Sequence, residues 1–565
     1  MPLVRSMNLG LAVTVLFPIN SSHSFGIIRR DQIFGSPFRR RLRMLRRIAL
    51  LILICTLAFR TRAQIPQSNS ATETDPLHRA QTPSAAACTT DVSSSCAEVS
   101  AKILPLILGP SPLRENLRRL TDEIGGRVTG SPAMERAVQW ATTAFRAAGV
   151  EVHTEKYQLP LIWSEGDTRL EMLGGIKFPL RTVSVGWSPP TPPGGIEATI
   201  VDIAYGTPQD FTAAAAQLKG AILLVHTDLG STWADLSNEY SRPPEIIGRA
   251  NKAGAAAILW EGAREHLLLY RHTNTSDGQL EKIPQAVVAR EDALRLSRTV
   301  LAHPGKIRAR FFMPNKIGPP IEQENVVAEI RGYEKPDESV ILGAHLDSWE
   351  LGTGALDNGC NAALVIEAAR ALKATGLRPR RTIRFTLFSG EEQGLLGSWA
   401  YVKTHRAELD KIRAVIIFDS GVGRVTGYSL GGRADIAPAI REVLKPLDSW
   451  EVTRHTTDAQ TGSDHFDFLI EGLPTLIANQ EEANYLPNYH AASDTLDKVD
   501  IRELKLNTTI AALTTWGLAD RPNPLGKRLS RTEVEILLKE TGLDQQMQSL
   551  GYWHDWEKGT RGRQQ

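Results

Sequence analysis

Cysteine is scarce in this chain: 4 in 565 residues, too few for a disulfide framework to hold together a fold of that size. Charge of either sign is also not in excess. Lys plus Arg total 65 against 63 Asp plus Glu, which excludes the broad basic field of a nucleic-acid-binding surface and gives no general attraction to an anionic membrane. Internal repeats of solenoid period are absent. The apolar run IALLILICTLAF, residues 48–59, is closed at once by Arg60 and is too short for a comfortable membrane span.

The flanks of that run give it a different meaning. FRRRLRMLRR (38–47) precedes it and Thr61-Arg62-Ala63 follows, the basic, apolar and small-residue order of a secretory signal. Cleavage is expected after Ala63, with Met44 as the natural start and residues 1–43 as an upstream extension. The alternative is an uncleaved anchor. With the signal removed, no stable membrane span remains and the chain is expected to be secreted or periplasmic. Cys55 leaves with the signal; Cys88 and Cys96 could close a small loop or stay as two thiols, and Cys360 reads as a small packing residue.

The length exceeds what one hydrophobic core usually organises, so two folded domains are expected. Residues 64–110, rich in Ser, Thr, Ala, Gln and Pro, read as a linker. Two amphipathic helical patterns follow in 111–150, one with Leu113, Leu117 and Leu120, the other with Ala137, Trp140, Ala141 and Phe145. Gly149 is placed to stop the second. Residues 164–320 form a β-rich insert of short runs such as ATIVDIAYG and GAILLVHTD. It shows no clustered His, Asp and Glu set of metal-ligand character, so it reads as a scaffold or lid. From residue 321 to 520 apolar strands alternate with helices, and this segment joins 111–163 in an α/β domain with a mostly parallel, doubly covered sheet. A helical tail, 521–565, ends the chain.

Ligands of such sheets bind beyond the carboxyl ends of the strands, and the chemically informative residues lie there. His345 and Asp347 follow VILGA, Glu391 and Glu392 follow IRFTLFSG, and Asp419 follows AVIIF. Asp357 sits in the loop GALDNGC and His490 in NYLPNYHAASD. Two imidazoles and several carboxylates converging on one edge make a nitrogen and oxygen site suited to zinc. The adjacent pair Glu391-Glu392 is the hardest feature to explain otherwise, because neighbouring carboxylates repel unless solvent or a cation neutralises them.

HLDSW, GALDNG, SGEEQG, IIFDSG and NYHAASDTLDKVD resemble the zinc exopeptidase family that includes carboxypeptidase Q and the bacterial leucine aminopeptidases. The resemblance implies two zinc ions per chain. Asp357 would bridge them, His345 and Asp419 would complete one site, and Glu392 and His490 the other. It makes Glu391 the general base and Asp347 a residue that holds a ligand in place. It also implies a cis bond between Asp357 and Asn358, a homodimer, and a protease-associated-like nature for the insert. The implied activity is hydrolysis of dipeptides or short peptides. An aminopeptidase is the alternative, since the first two positions of SGEEQG look more like those enzymes. A glutaminyl cyclase typically uses one zinc, and a binding homologue would have lost ligands that are all present here. Beside this set, the polar segment QTGSDHFDF (460–468) is expected to approach the same edge and bind the peptide substrate through Ser463, Asp464 and His465. His465 is the rival of His490 as a ligand, and Tyr485 or Tyr489 is expected to serve a developing oxyanion.

Overall fold

Along the strand Lys335–His345, Val340, Leu342 and Ala344 enter one apolar cluster while Ile341 enters another. This alternation follows from the period of two in a pleated strand and gives the main sheet two buried faces. The sheet has seven strands: β1 (Glu151–Leu159), β2 (Ile321–Ile330), β3 (Lys335–His345), β4 (Arg381–Phe388), β5 (Ile412–Ile417), β6 (Val425–Ser429) and β7 (Thr475–Gln480), in the spatial order β1-β2-β4-β3-β5-β7-β6. The computed structural model describes residues 93–564, all within the unit Thr74–Gln565. The upstream extension, the signal-like segment, Cys88 and residues 64–92 lie outside the described residues.

Strands β4, β3, β5 and β7 are parallel, whereas β1, β2 and β6 run antiparallel to their neighbours. The sheet is therefore mixed, and the mostly parallel sheet expected from the sequence is found only at its centre. The reason is topological. β1 and β2 pair from Glu151↔Glu329 to Leu159↔Ile321 as two arms of a hairpin whose connection is the whole insert, so no crossover helix separates them.

Helices α1 (Ser93–Leu108), α2 (Pro132–Ala147), α3 (Cys360–Ala374) and α6 (Ile501–Asp520) contribute to the larger cluster, and α4 (Leu396–Thr404) and α5 (His465–Ile470) to the smaller one. The start of α2 is fixed by Ser131, whose side chain accepts the Met134 N–H, and by Pro132 in the first turn. Gly149, at φ 73, lies just beyond its end. Helix α1 corrects the sequence reading, because the described part of the expected linker is ordered. Val99, Ile103 and Ile107 recur on one face and are wholly buried in the core, a period of about four that Pro105 and the Ser- and Ala-rich surroundings mask.

The insert leaves the main domain through a two-stranded stem, Ile162–Ser164 paired with Lys316–Gly318. Its own sheet has seven strands. It is less purely β than its sequence suggests, for it also carries the helices Pro208–Ala214, Trp233–Ser241, Pro243–Ala253 and Arg290–Ala302. The C-terminal helices pack Leu538, Met547 and Trp556 against Phe466 and Ile470 of α5. There a buried ion pair joins Arg561 to Asp467 at 2.7 Å. Among the described residues no helix is long and apolar enough to cross a membrane.

Candidate metal centre and active site

The parallel centre of the sheet delivers its side chains to one edge. His345 is the last residue of β3, Glu391 and Glu392 follow β4 across a turn in which Gly390 adopts φ 72, and Asp419 comes just after β5. Asp357 belongs to the loop before α3, and its peptide bond to Asn358 is cis. His490 lies in the loop between β7 and α6 at φ 57, a left-handed conformation that histidine tolerates better than most residues.

These side chains form two trios that share one member. His345 Nε2 lies 3.0 Å from Asp357 Oδ1 and 3.0 Å from Asp419 Oδ1. His490 Nε2 lies 3.2 Å from Asp357 Oδ2 and 2.9 Å from Glu392 Oε2. The two oxygens of Asp357 thus face different imidazoles. Within each trio the potential donor atoms lie within 4.8 Å of one another.

A scaffold of hydrogen bonds holds the trios. The His345 Nδ1–H points to the Asp347 carbonyl at 3.1 Å, which leaves Nε2 as the nitrogen with a lone pair in the neutral ring. The Asp347 carboxylate accepts Thr129 Oγ1–H at 3.0 Å and the N–H groups of Glu391 and Glu392 at 3.3 and 3.4 Å. Thr129 in turn accepts the Gly390 N–H at 2.9 Å. The Asp357 loop is fixed by Asp494, which accepts the N–H groups of Ala355, Leu356 and Asp357. Buried Arg127 donates to the carbonyls of Leu346, Thr353 and Gly354. Tyr485 spends its hydroxyl proton on Asp357 Oδ2 at 3.0 Å.

Electrostatically the site holds more carboxylate than its two imidazoles can balance. Burial pushes Glu392 up to about 7, with Asp357 adding to the rise. Burial likewise raises Asp419 and, well above its ordinary value, Glu391. Glu392 Oε1 is buried with no hydrogen-bond partner among the described residues, a position open to a cation. Cations set between these groups would relieve both the repulsion and the unmet acceptor. The donor set of imidazole nitrogens and carboxylate oxygens fits zinc.

The other candidate residues divide. Ser463 lies against Asp419, and Asp464 is buried within electrostatic reach of His345 and Asp419. His465 opens α5 instead and takes its polar contacts from the backbone of Gln460 and Ser463. It belongs to neither trio, whereas His490 belongs to one.

Tyr489 stacks on the His490 ring, with centroids 3.7 Å apart. Residues that sequence reasoning missed come from farther away. Tyr240 of the insert meets Tyr489 Oη at 2.9 Å and His490 Nδ1 at 3.3 Å, and nothing local in the sequence marks it. The insert backbone also joins the His490 loop, since Arg271 N–H donates to the His490 carbonyl at 3.1 Å and Ala492 N–H to that of Leu269 at 3.0 Å. The insert also holds an ion-paired group, separate from the two trios: His226 lies 2.5 Å from Glu261 and 3.0 Å from Asp202. Strand pairing brings those residues together from separate runs.

Residues 325–515 match the model of peptidase family M28. Carboxypeptidase Q of Mus musculus is 30% identical over 409 residues, covering 72% of this chain and 85% of that protein. An aminopeptidase of Bacillus subtilis is 25% identical, covering 69% and 80%. Among solved structures, a peptidase M28 precursor from Shewanella amazonensis superposes with a TM-score of 0.67 at 27% identity, covering 76% of this chain and 98% of that one. A zinc aminopeptidase from Bacillus subtilis shares the fold with a TM-score of 0.56 at 21% identity, over 74% and 97%. By this likeness along most of a relative's length, and by the motifs gathered at its sheet edge, the chain belongs to peptidase family M28.

Proposed function

We propose that the protein is a co-catalytic di-zinc exopeptidase that hydrolyses dipeptides or short peptides in the manner of carboxypeptidase Q. The observation that carries this reading is the placement of Asp357, one oxygen towards His345 and Asp419, the other towards Glu392 and His490. His345, Asp357 and Asp419 would hold one zinc and Asp357, Glu392 and His490 the other. When bound, two such ions acidify water and polarise the scissile carbonyl.

The chain's own residues do the rest. Glu391 takes the proton of the attacking water and returns it to the leaving amine. Asp347, tied to the amides of Glu391 and Glu392, keeps that base and its neighbour at fixed positions. Tyr485 has committed its hydroxyl proton to Asp357, so Tyr489 is the tyrosine left to donate to a developing oxyanion. Ser463 and Asp464 form the wall against which the peptide lies. The insert, residues 164–320, is proposed to be a protease-associated-like domain on a peptidase domain of 111–163 and 321–520 with a tail at 521–565; α1 extends the peptidase domain back to residue 93. Export is proposed on the signal-like segment ending at Ala63, and dimer formation on the resemblance to carboxypeptidase Q.

An aminopeptidase is the second reading, favoured by the SGEEQG turn and by the likeness to the Bacillus aminopeptidase. Metal analysis with turnover of a free dipeptide against an aminoacyl anilide tests both. Two zinc ions and preference for the dipeptide are expected. Preference for the anilide would establish the second reading, and failure to bind zinc would remove both.

A further inference from the structure

The helix Trp233–Ser241 belongs to the insert, yet its Tyr240 reaches the metal loop of the peptidase domain. Tyr240 Oη lies 3.3 Å from His490 Nδ1 and 2.9 Å from Tyr489 Oη. A zinc ion held by Asp357, Glu392 and His490 would set the polarity of both contacts. His490 Nε2 faces Asp357 and Glu392, so with the ion bound its lone pair is used on that side and the ring proton of the neutral imidazole sits on Nδ1. That proton points to Tyr240, whose oxygen accepts it. A hydroxyl that accepts still has one hydrogen to give, and the neighbour in place to receive it is Tyr489. Tyr489 then accepts as well, and its own hydrogen remains free for a third partner.

We propose that Tyr240 is a positioning residue supplied by the insert, which fixes the ligand tautomer of His490 and, by the same hydrogen-bond chain, aims the Tyr489 hydroxyl at the substrate. The inference rests on the di-zinc reading above and deepens it: the insert is part of the catalytic apparatus. Other contacts agree with so exact a placement. Tyr240 packs edge-on against His272 with ring centroids 5.9 Å apart. Its chain neighbour Glu239 is held by buried Arg264 at 3.2 Å. Trp233, at the other end of the helix, lies with its ring centroid 5.7 Å from that of Tyr485. The helix is thus pinned at both ends, and the Leu269–Arg271 backbone pairs with the His490 loop beside it.

The test is Tyr240→Phe in the full chain, which keeps the ring and deletes the relay. Zinc affinity is read by chelator competition, and kcat and KM with a free dipeptide. Tyr205→Phe, an exposed insert tyrosine outside the site, is the control. The variant is expected to bind one of its two zinc ions about tenfold to a hundredfold more weakly. It should also lose kcat at nearly constant KM, with the thermal midpoint of the zinc-free protein unchanged; the control should match wild type throughout. Unchanged zinc affinity and kcat in Tyr240→Phe would overturn the inference. Equal weakening of both zinc ions with a lower zinc-free midpoint would also overturn it, since that marks general loosening. A wild-type protein that binds no zinc would bring down the metal reading itself, a distinguishable result.

Discussion

The carboxylate of Asp494 accepts the backbone N–H of Asp357 at 3.1 Å, so a residue 137 positions later in the chain holds in place the one member common to both trios. Its other oxygen takes the N–H groups of Leu356 and Ala355 at 2.6 and 3.1 Å. Asp494→Ala leaves these buried donors unmet, a loss of about 1–3 kcal/mol, and Asp494→Asn, which keeps one accepting oxygen, should lose less. Urea unfolding of the zinc-free protein measures both. Equal stability of the alanine variant and wild type would show that the loop does not depend on Asp494.

Glu391→Gln retains shape and removes the proposed base. Turnover should fall by about a hundredfold to ten-thousandfold while zinc content stays the same. A rate near that of wild type under saturating zinc would assign the proton transfer to another group.

Asp357→Ala should release both ions, because each trio loses a member. His490→Ala should release one, and His465→Ala none, its effect falling on the catalytic constants. Metal analysis of the three proteins decides. Zinc loss confined to the His465 variant would reverse the ligand assignment.

Hydrogen bonds donated to Asp202 and Glu261 push His226 up to about 9, while the carboxylate of Glu261 is also held by Arg290 at 2.8 Å. An unfolded histidine titrates near about 6.5. Because the folded value is the higher, the stability drawn from His226 is complete below about pH 6.5 and is lost as pH rises through about 9. Hydrogen exchange in the insert strand Ile222–Val225 should therefore show a wide gap between wild type and His226→Gln in mild acid that closes in mild alkali. A gap that widened with pH would contradict this account.

Ile103→Ala should destabilise by about 2–5 kcal/mol if α1 belongs to the core. A surface linker position would change by no more than about 0.5 kcal/mol. Chemical denaturation separates the two.

The parts of the site that could be read from sequence are those written locally. His345, Glu391, Glu392 and Asp419 each follow an apolar strand, and strand ends of a parallel sheet share an edge. Residues whose meaning depends on a distant partner were silent. Tyr240 acquires its role from a loop 250 positions away, and Asp494 from amides 137 to 139 positions before it. The pairing of β1 with β2 spans the whole insert, so alternation of strands and helices could not disclose an antiparallel flank. In α1 the signal was present in Val99, Ile103 and Ile107 but diluted by Pro105 and its small polar neighbours. His465 shows the limit of composition, since a polar segment fixes which groups are near but not what each of them does.

The backbone pairing of Leu269–Arg271 with the His490 loop also bears on the order in which the molecule is made. Contacts between residues so far apart in sequence close late and slowly. Thr129 to Asp347 and Arg127 to Gly354 are other such closures, 218 and 227 positions apart. The half of the centre built on His345 and Asp419 can assemble within the sheet. The half built on His490 requires, in addition, that the insert has docked. Occupancy of the His490 side would then report that the insert is seated on the sheet, whatever the order of the other closures.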